Sequence, residues 1–154
     1  MLLNCKNQII ISDTSCLIGL TNIGLLDILN SLYETVLVTQ EVASEYGEPL
    51  PKWILVTAVK DSTKTDAYSR FIDLGEASSI APAMEINGAI LIVDDREARQ
   101  FAISLGIKIS GTLGIIIQAY KQGIISDLSA AIFGLQQNGF HLPSNTNEII
   151  AKLV

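Results

Sequence analysis

Soft metal ligands are nearly absent: the 154 residues include one histidine and two cysteines. A zinc site, which needs several such donors at characteristic spacing, is left without a ligand set. Acyl transfer through a hydroxyl lacks its base for the same reason. Ser15 has no candidate histidine near it, and His141 falls in a C-terminal loop expected at the surface. Cys5 and Cys16 show no metal or redox spacing and read as reduced thiols, as in cytoplasm. No apolar run approaches the length of a membrane span. The segment Met1–Cys5 has no basic region and too little length for a signal peptide. Positive charge is scarce too, with 10 Lys and Arg against 16 Asp and Glu for a net charge of −6. Proteins held to nucleic acid by phosphate contacts alone are usually basic. Any such role here must recruit bound cations or a local basic strip, and metal-binding carboxylates make the formal count too negative.

What the chain does have is apolar bulk. Hydrophobic residues make up 49% and charged ones 17%, which excludes disorder and implies a sheet buried under helices. The length fits a single domain, 1–154, large enough for its own core. Its centre is Ile9-Ile10-Ile11, a β-branched run that stops at Ser12-Asp13-Thr14-Ser15. Such a run reads as a strand buried on both faces, with Asp13 just past its carboxyl end, where open α/β sheets place ligands. Ala89–Val93 repeats the pattern and ends in Asp94-Asp95.

Taken in order, the sequence predicts a short helix from Leu17 and a further helical stretch over Gly24–Tyr33, with Leu25, Ile28, Leu29 and Leu32 on one face. A strand Thr35–Thr39 and a helix Gln40–Tyr46 closed by Gly47 follow. Trp53–Val59 reads as an edge strand, Lys60–Thr65 as a loop and Thr65–Leu74 as a helix broken at Gly75. A helix from Glu76 to about Asn87 contains Pro82, so a kink or a start near Ala81 is expected. After the Ala89–Val93 strand come a helix Arg96–Leu105, a strand Ile107–Ser110, and helices Thr112–Tyr120, Ser126–Gln137 and Thr146–Val154. Alternating strands and helices define an α/β fold around a parallel sheet.

Each acid has a bland reading. Asp13 before Thr-Ser is a good helix N-cap. Asp94, with Glu97 three residues on, matches a capping box. Glu76 complements a helix dipole, and Glu41 and Glu45, one turn apart, fit a solvated face. Their coincidence at strand ends and adjoining helix starts points further, because a parallel sheet gathers those positions along one edge. Two like charges about 4 Å apart repel by roughly 4 kcal/mol at an effective dielectric of 20. Hard cations, Mg²⁺ or Mn²⁺, relieve that repulsion through oxygen ligands.

Asp13-Thr14-Ser15 after a strand, Glu45 on the helix after the second strand, Gly75-Glu76-Ala77, Asp94-Asp95-Arg96 and Gly111-Thr112-Leu113-Gly114 together resemble a PIN domain. More narrowly the chain is similar to small VapC-like proteins of toxin–antitoxin pairs, from about Ile9 to Phe140. Cys16 stands where relatives usually have proline, and Glu76 replaces the commoner aspartate. The resemblance implies a three-layer α/β/α domain and a metal-dependent ribonuclease in the cytoplasm, with RNA as substrate. It implies Asp13, Glu45 (or Glu41), Glu76 and Asp95 as catalytic acids, and Asp13, Glu76, Asp94 and Asp95 as ligands of Mg²⁺ or Mn²⁺. Thr14, Ser15 and Thr112 would support them, and Arg96 and Arg99 would reach substrate phosphates. A homodimer and a small antitoxin are the protein partners it implies. Two other classes stay open: a Mg²⁺-binding receiver-like signalling domain, against which Lys108 lies inside its strand rather than after it, and a non-catalytic interaction protein.

Overall fold

Adjacent isoleucines can be buried only where both faces of a strand are covered, and that is where the chain puts Ile10 and Ile11. The computed structural model describes residues 7–58 and 62–153. Its strands are β1 (Ile9–Ser12), β2 (Thr35–Thr39), β3 (Ile54–Thr57), β4 (Ile90–Ile92) and β5 (Lys108–Ser110). They form one sheet in the order β3-β2-β1-β4-β5, every neighbouring pair parallel. The helices are α1 (Thr14–Asn22), α2 (Ile28–Leu32), α3 (Gln40–Tyr46), α4 (Ser62–Tyr68), α5 (Leu74–Glu85), α6 (Arg96–Ser104), α7 (Thr112–Lys121), α8 (Leu128–Gln137) and α9 (Thr146–Leu153).

Successive residues of the central strands feed opposite cores. Ile10 and Ile92 pack with Leu17, Leu20, Leu29 and Ile116, while Ile11 and Leu91 pack with Ile80, Ala98 and Ala102. Helices α1, α2, α7 and α8 therefore cover one face, and α5 and α6 the other, giving the three layers. The apolar stretches of α7 and α8 are mostly core, with Leu113, Ile115, Ile116, Leu128 and Ile132 buried.

The strand order carries the functional consequence. From β1 the chain winds outward through β2 to β3, then returns to the other side of β1 for β4 and β5. Connections leave the carboxyl ends of β1 and β4 in opposite directions, which opens a crevice there. Asp13 and Asp94 stand at its two lips.

Several expected boundaries shift. The first helix starts at Thr14 rather than Leu17, because Asp13 already caps it. Only Ile28–Leu32 of the Gly24–Tyr33 stretch is helical. The edge strand is the shorter Ile54–Thr57, and Val59 of the expected strand lies outside the described residues. The loop expected at Lys60–Thr65 begins outside them too, and α4 already occupies Ser62–Tyr68. Gly75 is no break: α5 starts at Leu74 and runs past Pro82 to Glu85, so it does not start near Ala81. Cys5 lies outside the described residues, and Cys16 is a buried free thiol.

Candidate active site

Asp13 clasps two distant parts of the chain. Its Oδ1 accepts the Cys16 N–H at 2.8 Å, capping α1. Its Oδ2 accepts the Asp94 N–H at 3.0 Å, across 81 residues of sequence. The cap of α1 and the tie to the end of β4 are thus one arrangement, and capping leaves Asp13 available to a site. With only 2% of its surface exposed, the carboxyl is desolvated. Burial first, then the Asp94 charge, pushes it up to about 8, against the pull of the two backbone N–H groups.

Asp94 does not cap its own helix. The N-cap of α6 is Asp95, whose Oδ2 accepts the Ala98 N–H at 3.0 Å, so the capping box expected from Asp94 and Glu97 is corrected. The carboxylate of Asp94 turns instead to α7. Thr112 donates its N–H to Oδ1 at 2.8 Å and its hydroxyl to Oδ2 at 2.6 Å. The N-cap of α7 is Gly111, which has no side chain to cap with. The neighbouring strand supplies the missing oxygens. A Cβ at Gly111 would lie 3.1 Å from Asp94 Oδ1 and 2.9 Å from Arg99 Nη1, so any larger residue would have to push the Asp94 and Arg99 side chains aside. Arg99 donates to the Val93 carbonyl at 2.8 Å. Burial raises the Asp94 carboxyl, while the Thr112 bonds and the Arg99 charge oppose the rise.

Replacing Thr112 with valine keeps the shape of this fully buried side chain and removes one donor to a carboxylate. We expect a loss of about 1–3 kcal/mol, the range for a charge-assisted hydrogen bond in a buried setting. Thermal unfolding at pH 7 measures it, and a Thr112→Val midpoint equal to wild type would show that the bond contributes nothing.

Glu76 sits in the first turn of α5, half-buried. Its carboxyl is pushed up to about 7, by burial first and then by Asp95, with Asp73 and Glu45 adding smaller repulsions. It also raises Asp13, so its charge is felt by acids on both sides of the crevice. Glu45 joins from α3: its Oε2 accepts the Thr14 hydroxyl at 3.2 Å, and its Oε1 lies where a Cβ of Gly75 would collide with it. Glu41, one turn earlier, has a buried Oε2 without a partner. Glu45 is thus the acid of this pair brought to Thr14 and Gly75. A buried hydroxyl pair, Thr39 with Ser78 at 2.6 Å, ties α5 to the end of β2, where α3 begins.

The other expected members divide. Ser15 is exposed and lines a separate hollow with Ile18, Asn22 and Phe140. Arg96 is exposed on the rim of a larger groove shared with Asp94 and Asp95. Asp73, which adds to the repulsion on Glu76, escaped the sequence reading, though its place before Leu74-Gly75-Glu76 was a signal.

Among the described residues no three acids converge closely enough to hold a metal ion as they stand. The donor chemistry nonetheless fits a hard cation. Every candidate ligand is a carboxylate, and three of them, Asp13, Glu76 and Asp94, are raised chiefly by burial. Asp13 and Glu76 are raised further by neighbouring acids, repulsion that a cation would reverse.

A parallel α/β sheet with carboxylates and hydroxyls at its switch point defines a class of protein suited to cation and phosphate chemistry. Within that class the chain belongs to the PIN-domain family: a family model described as a PIN domain matches residues 9–154. No curated protein and no solved structure gives a match. PIN domains are generally nucleases that use divalent metals. Among the described residues no helix is long and apolar enough to cross a membrane.

Proposed function

We propose that this PIN domain is an endoribonuclease dependent on Mg²⁺ or Mn²⁺, the toxin-like member of a toxin–antitoxin pair in the cytoplasm. The observation that carries the reading is the buried Asp13 carboxyl, held by two backbone N–H groups and within the field of Asp94 and Glu76. Asp13, Glu76, Asp94 and Asp95 would hold the ion, which supplies an activated water and neutralises phosphate charge. The chain's own residues do the positioning. Thr112 fixes both oxygens of Asp94, the Asp94 N–H fixes Asp13, and Thr14 holds Glu45, which is free to orient water as a base. A homodimer or antitoxin contact finds support in the edge strand β3, where Leu55 and Val56 are 52% and 47% exposed.

Single-stranded RNA incubated with the purified chain and Mg²⁺ or Mn²⁺ is expected to be cut internally, and EDTA to stop the reaction. Cleavage that persists in EDTA would remove the metal from the proposal.

A further inference from the structure

A groove of about 930 Å³ opens beside the acids, bounded by α6, the start of α7 and the segment Phe140–Pro143. Asp94 and Asp95 form part of its wall, so it continues the crevice rather than standing apart from it. Its volume lies within the range of small-molecule sites, and its surface is of mixed character. Ile103, Ile117 and Leu142 give it apolar sides. Gly111 and Gly114 also line it, but the space beside Gly111 is taken by the Arg99 and Asp94 side chains, which close that end of the groove.

Charge says which ligand suits it. The chain carries three arginines and one histidine within a net charge of −6. Two of those arginines, Arg96 and Arg99, and that histidine, His141, line this one groove. An otherwise acidic protein thus places two of its three guanidinium groups next to its carboxylates, Arg99 held on the Val93 carbonyl and Arg96 exposed, a setting that suits a polyanion running past the acids. Apolar walls beside a cationic rim match a base together with its phosphate. His141, exposed on the groove, adds a ring of the kind on which unstacked bases rest, while the Phe140 ring packs back against α1 at Gly19.

We infer that this groove is a nucleobase subsite, holding the base of a nucleotide adjacent to the cleaved phosphodiester of single-stranded RNA and setting where the strand is cut. The inference rests on the ribonuclease reading above and adds to it the determinant of sequence preference. Ile103 is the point at which to test it, because it is 59% exposed and its replacement disturbs no core.

The full-length Asp13→Asn variant, in Mg²⁺, would be photocrosslinked to single-stranded RNA containing 4-thiouridine, and the attachment sites mapped by mass spectrometry. Crosslinks within Gln100–Ser104 or Phe140–Pro143 are expected. In parallel, Ile103→Glu would be compared with wild type on a randomised RNA pool. KM is expected to rise about tenfold or more, the effect of losing the burial of one aliphatic side chain, with kcat nearly unchanged and the base preference beside the cut flattened. Crosslinks confined elsewhere, or Ile103→Glu cutting the wild-type positions at the wild-type KM, would overturn the subsite, as would a groove that serves a protein partner instead. Cleavage that is lost in Asp13→Asn but indifferent to the groove sinks the subsite alone. A chain that neither binds nor cuts RNA sinks both readings.

Discussion

Asp13→Asn is expected to lower RNA cleavage by about 10³-fold or more while leaving a folded protein. A bound cation contributes several kcal/mol through charge stabilisation, and about 4 kcal/mol corresponds to that factor. Asparagine removes the charge at the deepest acid of the crevice. The fold-level cost comes from hydrogen bonding: Asp13 offers one oxygen to the Cys16 N–H and the other to the Asp94 N–H. The amide keeps a single acceptor, so one buried N–H faces an NH₂ group, at a cost of about 1–3 kcal/mol. Above neutral pH, removal of a buried carboxylate beside Asp94 offsets part of that cost. Single-turnover rates and melting curves on the same preparations separate the two effects. A rate within tenfold of wild type would rule Asp13 out as the centre of the chemistry.

The second large effect is in the response to pH. Asp13 and Glu76 are pushed up to about 8 and about 7 in the folded protein, whereas unfolded carboxyls titrate near pH 4. Between roughly pH 4 and 8 the folded chain therefore binds more protons than the unfolded one, and its stability falls as pH rises through that window. Asp13 dominates, since Glu76 is only half-buried and solvent screens its share. Without metal, we expect the protein to melt about 4–8 °C higher at pH 5 than at pH 8, equivalent to about 2 kcal/mol for a chain of this size. Mg²⁺ should recover much of the difference at pH 8 and do little at pH 5, where the acids are protonated. A midpoint that climbs with pH, or that ignores Mg²⁺ at pH 8, would contradict this account of the crevice.

The strands that build the site were readable because Ile9–Ile11 and Ile90–Ile92 have no other way to be buried, and each run ends at its acid. The family followed from the order of the motifs and is the one found. Pairings between segments distant in sequence were not readable. The contact of Asp94 with Thr112 depends on β4 and β5 being neighbours, so local spacing directed Asp94 to Glu97 instead. Gly75 looked like a helix breaker because the side chain that needs its missing Cβ, Glu45, comes from another helix. Ser15 follows Thr14 directly, but the helix that Asp13 starts turns it out toward a different hollow. Position along the chain placed the acids, and helical phase then sorted the hydroxyls.

The bond from Thr112 to Asp94 bears on how an inactive version of this protein should be made. One carboxylate both faces the reacting edge and holds the start of α7, so neutralising Asp94 would mix lost chemistry with a loosened helix. Glu76, half-buried in the first turn of α5, is hydrogen-bonded among the described residues only locally, to the Asp73 backbone at the start of its own helix, so neutralising it would cost a cap rather than a tie between distant elements. Dead variants made at the two positions are not equivalent controls.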